Sequence, residues 1–142
     1  NPKAIILSRQ NMKFFDNDVS YKDFQTGAYE FMPGSDITLI ATGSELELAF
    51  EISTKLKDLS IQIISAPILN ILNEERLESL SLNQNIFTIE LGRTIGWDTY
   101  IKNIKKSFSI DSFGESAPID QLAEKFNFNA EKISDEIRSL LN

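Results

Sequence analysis

One residue in this sequence is suited by type and position to bind an anion. Arg9 follows an apolar segment, residues 4–8, which is predicted to form a short buried strand. A guanidinium held at the end of a strand can donate two parallel hydrogen bonds to a carboxylate or a phosphate. A lone arginine is not specific, so the residues alone leave both an anion-binding role and an ordinary surface role open.

A second candidate is the turn at residues 42–45 (TGSE), between a predicted strand and a predicted helix. Backbone amides at a helix start favour an anion, and open α/β sheets bind ligands at the carboxyl ends of their strands. However, the turn has one glycine where the dinucleotide-binding fingerprint requires G-x-G-x-x-G, and Glu45 and Glu47 would oppose a phosphate. We therefore interpret it first as a helix start with a capping box of Ser44 and Glu47. An anion site at Ser44 remains the alternative.

Two further groups of polar residues can be interpreted either as functional or as structural. The loop that follows the apolar segment at residues 85–91 lies at the carboxyl end of a predicted strand, where functional loops are common. It also has the composition of a loop that packs onto a core or a subunit. Asp111 and Glu115 could divide acid and base roles if they shared a pocket, but a turn leading into a helix explains them equally. The loop residues are Glu90, Arg93, Trp97 and Asp98, with Gly92 and Gly96.

The sequence contains neither histidine nor cysteine. Histidine is the usual proton-transfer group near neutral pH and the commonest metal ligand, and cysteine supplies thiolate nucleophiles and zinc ligands. No spacing of acidic residues resembles a calcium loop. We therefore expect no catalytic residue, no metal site and no complete active site within these 142 residues, although serine, lysine and carboxylate chemistry and a metal site of carboxylates alone stay open as alternatives.

The net charge of −7 argues against a nucleic-acid partner, because it repels phosphate backbones. The single basic cluster, Lys102, Lys105 and Lys106, has helical spacing and is interpreted as the solvated face of a helix. No apolar run is long enough to span a membrane, and the first residues lack the pattern of a signal peptide. These features predict a cytoplasmic protein without a membrane partner.

Strand and helix patterns alternate along the chain. The strands are predicted at residues 4–8, 28–32, 36–42, 61–67 and 85–91, and the third of these is apolar almost throughout, as in a strand covered on both faces. Helices are predicted after Ser44, after Asn73 as a cap, over residues 97–108, from Pro118 to a left-handed terminator at Asn127, and after Asn129 as a cap. Residues 10–26 show no clear periodicity and are interpreted as a surface linker. This alternation predicts an α/β fold with a mostly parallel sheet between helices.

Several motifs together resemble the C-terminal end of transketolases over essentially the whole chain. Each motif alone would be weak, but their combination and order are specific to that family. The motifs are residues 7–11 (LSRQN), 27–29 (GAY), 40–45 (IATGSE), 89–92 (IELG) with Gly96-Trp97, and 113–118 (FGESAP).

The resemblance implies a three-layer α/β/α fold with a mixed sheet of about five strands. One strand of that sheet is antiparallel, and the segment Ala28–Met32 is the candidate for it. Residues 27–142 would be the C-terminal domain, and residues 1–26 would be a strand and linker that leave a middle domain. Asn127 stands where the family commonly has glycine, which is compatible with a helix terminator.

The resemblance also implies an activity for the intact protein. Transketolases of the pentose phosphate pathway transfer a two-carbon ketol unit between sugar phosphates, using thiamine diphosphate and a divalent cation, Mg or Ca. The cofactor binds between the first two domains, across a homodimer interface, so this chain alone would bind no cofactor and would be inactive. Its partners would be the upstream domains, and the arginine that matches Arg9 contacts the substrate phosphate. The competing hypothesis is a stand-alone binding or regulatory module with an anion site at Ser44.

Overall fold

The computed structural model describes residues 11–16, 19–93, 96–111 and 119–142. The predicted strand at residues 4–8, the motif at residues 113–118 and the helix start at Pro118 lie outside these residues. In chain order the elements are α1 (Tyr21–Gln25), β1 (Tyr29–Met32), β2 (Ile37–Ala41), α2 (Glu45–Lys55), β3 (Ile61–Ser65), a 3₁₀ turn (Leu69–Ile71), α3 (Glu74–Ser79), β4 (Ile86–Glu90), α4 (Trp97–Tyr100), β5 (Ile104–Ser109), α5 (Ile119–Lys125) and α6 (Ala130–Leu141).

The most apolar segments of the sequence form the centre of a single five-stranded sheet. The strand order is β1-β3-β2-β4-β5, and only β1 runs antiparallel to its neighbour. Every residue of β2 and β3 is buried, which is expected for parallel strands covered on both faces. The α/β fold with a mixed, mostly parallel sheet is therefore confirmed, and Ala28–Met32 was the correct candidate for the antiparallel strand.

Alternating side chains of the strands fill two separate hydrophobic cores. Leu39 and Ile63 belong to the core under α2 and α6, whereas their neighbours Ile40 and Ile64 belong to the core on the opposite face of the sheet. Trp97 is buried in the second core. The sheet thus lies between two packed hydrophobic layers.

The two edge strands differ from the centre. The pairing of β1 with β3 contains a β-bulge between Glu30 and Met32. At the other edge, Lys105 and Lys106 of β5 are exposed. Among the described residues, no helix is long and apolar enough to cross a membrane.

The predicted asparagine signals at helix ends are confirmed. The side chain of Asn73 accepts a hydrogen bond from the amide of Arg76 at 2.8 Å, and that of Asn129 accepts one from Lys132 at 2.9 Å. Asn127 has φ +53°, the left-handed conformation that asparagine tolerates better than most residues. These short polar side chains therefore mark true helix boundaries.

The capping box predicted for Ser44 and Glu47 is wrong. Ser44 already has helical dihedrals (φ −64°, ψ −29°), whereas a capping residue needs an extended backbone. Its hydroxyl donates to Oε1 of Glu45 at 2.9 Å, and Glu47 accepts from the amide of Lys13 instead. A capping box does occur at Ser20 and Asp23, where it starts α1 inside the segment predicted to be a linker without regular structure. With five residues, α1 is too short to show a periodic pattern.

The helix predicted over residues 97–108 is also wrong. Only α4 is helical; Asn103 then adopts φ +60°, and β5 pairs in parallel with β4. The apolar spacing of Ile104 and Phe108 imitated a helix face, but a register shift in β5 places these two residues on opposite faces of the sheet, in the second and the first core respectively. The lysines at 102, 105 and 106 consequently do not form one helix face: the first lies in the connection and the others follow each other along an edge strand.

Candidate functional site

The carboxyl edge of the sheet brings together two of the predicted candidate groups. Because β2 and β4 are parallel neighbours, Thr42, which follows β2, lies beside Glu90, the last residue of β4. The hydroxyl of Thr42 donates to Oε2 of Glu90 at 2.7 Å, and the amide of Gly92 donates to Oε1 at 3.2 Å. Glu90 is thereby fixed between the turn after β2 and the loop after β4.

A second carboxylate, Glu45, lies in the first turn of α2 at the same edge. Glu45 is 6% exposed and its Oε1 accepts a hydrogen bond from the hydroxyl of Ser44. Burial raises the pKa of Glu45 above its ordinary value, and the negative charge of Glu90 raises it further. The edge is therefore acidic.

This geometry disfavours the predicted alternative, a phosphate or nucleotide at the Ser44 helix start. The amides of Glu45, Leu46 and Glu47 donate back into the turn, to the carbonyls of residues 42, 43 and 44 at 3.0, 3.4 and 3.2 Å. They are therefore not presented together to an external anion. Gly43 takes φ +48° to form the turn, but two carboxylates, Glu45 and Glu90, would repel a diphosphate placed beside it.

The described part of the linker reaches this same edge. The amide of Lys13 donates to Oε2 of Glu47 at 3.3 Å, and the Lys13 ammonium lies 5.1 Å from the ring centre of Phe50 in α2. Phe15 packs edge-on against Phe31 and Phe50, with ring centroids 5.0 and 5.5 Å away. Residues 11–16 are thus attached to the domain next to the start of α2.

Arg9, the only residue predicted to contact substrate, lies outside the described residues, as does Glu115 of the predicted acid pair. Asp111, the other member, is exposed and accepts a hydrogen bond from Ser109 at 2.9 Å. In the loop after β4, Trp97 is buried in the core while Arg93 and Asp98 are exposed, as expected from the packing interpretation.

Sequence reasoning missed a polar cleft of about 270 Å³ between α1, β1 and α3. Arg76 forms one wall: its Nε and Nη2 donate to the carbonyl of Ala28 at 3.0 and 2.8 Å, and Nη2 lies 4.0 Å from Asp23. Nothing in the sequence linked residues 23, 28 and 76, because only the antiparallel placement of β1 brings them together. The guanidinium is occupied by the protein itself, so we interpret Arg76 as a structural clamp between these elements.

No group of three or more His, Cys, Asp or Glu side chains that could hold a metal ion occurs among residues 11–16, 19–93, 96–111 and 119–142. The acidic edge and its internally bonded amides do not fit a diphosphate-bearing cofactor either.

The buried carboxyl of Glu45 gives a pH-dependent prediction. Its pKa is raised in the folded chain, so ionisation costs stability as the pH rises from the ordinary value of 4.5 through the raised folded value. Glu45→Gln should therefore increase the free energy of unfolding at pH 7 but leave it unchanged at pH 3, where the carboxyl is protonated in both states. Urea titrations at the two pH values measure this, with Glu51→Gln on the exposed side of α2 as the control. A variant that is less stable at pH 7 would show that the carboxylate is stabilised by its surroundings.

Comparison with known proteins identifies what this architecture is similar to. The family model described as "Transketolase-like TK C-terminal domain" matches residues 27–129. The chain is 35% identical over 153 aligned residues to a transketolase of Staphylococcus aureus (strain MW2), in an alignment that covers 98% of this chain and 23% of that protein. Among solved structures, a transketolase from Campylobacter jejuni is 26% identical with a TM-score of 0.72, covering 87% of this chain and 20% of the other. A transketolase from Leishmania mexicana is 24% identical with a TM-score of 0.79, covering 93% and 20%.

Proposed function

Since the chain belongs to the transketolase family and corresponds to its C-terminal domain, we propose that it forms the last part of an enzyme that transfers a two-carbon ketol unit between sugar phosphates. The observation that carries the proposal is the match of residues 27–129 to that domain, within alignments that extend over 98% of the chain. The chain spans about a quarter of the length of the curated relatives it matches, 23% for the Staphylococcus aureus protein. The complete activity is therefore proposed for a longer protein.

In this proposal the chain contributes the scaffold, contacts to the upstream domains and one substrate-binding arginine. Thiamine diphosphate and a divalent cation would bind to the upstream domains, and the complete enzyme would be a cytoplasmic homodimer of the pentose phosphate pathway. The acidic carboxyl edge of Glu45 and Glu90 supports this division, because it is unsuited to hold a diphosphate. The residues of this chain would accordingly orient substrate and upstream domains without performing the transfer.

Cofactor binding and activity test the proposal directly. The 142-residue chain alone should show no magnesium-dependent binding of thiamine diphosphate by calorimetry and no ketol transfer. The protein extended upstream by the remainder of its reading frame should show both. Tight cofactor binding by the short chain, or an inactive extended protein, would overturn the proposal.

Replacing Arg9 tests the substrate-binding role within the complete enzyme. Arg9→Ala should raise the KM for phosphorylated sugars by about tenfold or more, because a charged hydrogen bond to a phosphate is worth at least about 1.5 kcal/mol. The affinity for thiamine diphosphate should not change, because the proposed contact is with the substrate alone. Arg93→Ala, at an exposed arginine of the loop after β4, is the control. An unchanged KM in Arg9→Ala would remove Arg9 from the substrate site.

A further inference from the structure

One side chain near the start of the linker is packed into the domain. Of the described residues 11–16, only Phe15 is not exposed. Its ring lies edge-on against Phe31 of β1 and Phe50 of α2, with ring centroids 5.0 and 5.5 Å away. Phe31 and Phe50 in turn pack against the core under α2 and α6. The position of Phe15 is therefore set by residues of the domain.

Lys13 strengthens the attachment at the same point of the chain. Its ammonium lies 5.1 Å from the ring centre of Phe50 and 5.6 Å from that of Phe15, within the range of a cation–π contact. Its backbone amide donates to Oε2 of Glu47 at 3.3 Å. We name Lys13 and Phe15 the linker anchor. Aromatic and cation–π contacts depend on geometry, so the linker anchor fixes the orientation of the chain as well as its position.

A second attachment holds the far end of the linker on the other face of the sheet. Thr26 donates to the carbonyl of Ala28 at 3.0 Å, and Arg76 binds the same carbonyl. Ala28 belongs to the hydrophobic core opposite to the one against which the partners of Phe15 pack. Because the linker is fastened on both faces, the linker anchor cannot slide along the domain.

The linker anchor is close to Arg9 along the chain. Arg9 precedes Lys13 by four residues. An extended chain advances at most about 3.6 Å per residue, so the two Cα atoms lie within about 14 Å of each other in any conformation. A fixed point at this distance restricts the volume that is open to Arg9. Such restriction lowers the entropy that the guanidinium loses when it binds a phosphate.

We propose that Phe15, together with Lys13, is a positioning residue for Arg9, so that the grip of the C-terminal domain on the linker controls the affinity of the complete enzyme for phosphorylated sugars. This inference rests on the proposed function, because it takes Arg9 to bind the substrate phosphate. The linker anchor touches no substrate and acts only through the arginine. Substrate affinity therefore depends on the contacts of Phe15 with β1 and α2, at a distance from the phosphate itself.

Kinetics of the complete enzyme test the positioning role. Phe15→Ala should raise the KM for phosphorylated sugars by about three- to tenfold with kcat unchanged, because a misplaced arginine loses binding energy that substrate and transition state share. The KM for a ketose without a phosphate should not change, and Phe15→Tyr, which keeps the ring, should retain the parental KM. Phe14→Ala is the matched control, since its ring is 86% exposed. A parental KM in Phe15→Ala, or an equal rise in Phe14→Ala, would overturn the proposal.

Two further variants separate positioning from a general structural effect. In an Arg9→Ala background, Phe15→Ala should cause no additional rise in KM, because the group through which it acts is already absent. Insertion of two glycines between Met12 and Lys13 leaves every contact of the linker anchor in place but lengthens the chain to Arg9. It should raise the KM by about threefold or more without lowering the Tm, and it remains informative if Phe15→Ala fails to fold. An additional rise in the double variant, or a parental KM after the insertion, refutes the positioning role.

The proposed function would fail in a different way. A complete protein that transfers no ketol unit, or an Arg9→Ala variant with the parental KM, refutes the substrate-binding role of Arg9 and the positioning role with it. A parental KM in Phe15→Ala beside a raised KM in Arg9→Ala refutes the linker anchor alone and leaves the proposed function standing.

Discussion

Replacing Gly34 by alanine is expected to destabilise the domain by about 3 kcal/mol or more. A Cβ at this position would lie 2.1 Å from the carbonyl carbon of Ile61 and 2.2 Å from the amide nitrogen of Gln62. Both are backbone atoms of β3, so relief of the overlap requires the chain entering β2 to move away from the sheet. Overpacking of this kind costs about 1–3 kcal/mol even when side chains can adjust, and here they cannot.

The surroundings of Gly34 amplify the effect. The amides of Ser35 and Asp36 donate to the carbonyl of Ser60 at 3.1 and 2.8 Å, and the amide of Ser60 donates to the carboxylate of Asp36. Moving residue 34 outward would disturb these bonds, which fix the start of β2 beside the start of β3. The loss should therefore exceed that of an isolated clash.

Gly43→Ala is the matched control for this prediction. Gly43 has φ +48° but open space where its Cβ would be, so alanine there should cost only the left-handed backbone strain of about 1–2 kcal/mol. Urea unfolding of both variants at pH 7 gives the comparison. If Gly34→Ala costs no more than Gly43→Ala, the close approach of the two segments is not a constraint on the fold.

Replacing Gln62 by leucine is expected to cost about 3 kcal/mol. Gln62 is 2% exposed; its Oε1 accepts from the hydroxyl of Thr38 at 2.6 Å, and its Nε2 donates to the carbonyl of Leu80 at 2.9 Å and to Glu30 at 2.8 Å. Leucine has a similar volume but removes the donor to the buried carbonyl of Leu80 and the acceptor of the Thr38 hydroxyl, which keeps only the bonds that it accepts from Asn83. Each unpaired buried group costs about 1–3 kcal/mol, which outweighs the gain from a more apolar side chain.

Two further variants make the Gln62 prediction specific. Gln84→Leu, at an exposed glutamine before β4, should have little effect. Thr38→Val added to Gln62→Leu should cost less than Thr38→Val alone, because the hydroxyl has then already lost its bond to Gln62, whereas the Asn83 amide loses its acceptor in both backgrounds. A double variant that is destabilised by the full sum of the two single changes would show that the Thr38 and Gln62 side chains do not act together.

The strands of the sheet centre were predictable because burial on both faces leaves a simple signature. Residues 36–42, 61–67 and 85–91 are short, rich in isoleucine and bounded by turn residues, and β2, β3 and β4 lie within them. The edge strand β5 gave no such signal, because its adjacent lysines are exposed and a register shift places Ile104 and Phe108 on opposite faces of the sheet. The sequence therefore identified β1 and the interior strands better than the edge strand β5.

Long-range polar contacts could not be derived from the chain. Thr38 and Gln62 meet because they are register partners in β2 and β3, and register is set by the whole sheet. The bond between Thr42 and Glu90 likewise depends on β4 lying next to β2. Glycine at 34 was predictable as a turn residue, but its close approach to Ile61 was not. The role of Arg9 came from a family resemblance and remains a prediction.

The two edges of the sheet have a consequence for association between molecules. A flat, uncharged edge strand exposes unpaired backbone groups that can template a neighbouring chain and lead to aggregation. Here the bulge in β1 interrupts regular pairing at one edge, and a register shift does the same in β5 at the other, where Lys105 is exposed and Lys106 is paired with Glu136. Growth of the sheet that the described residues form is thus opposed at both ends by irregular strand shape, and at the β5 edge also by the exposed charge of Lys105.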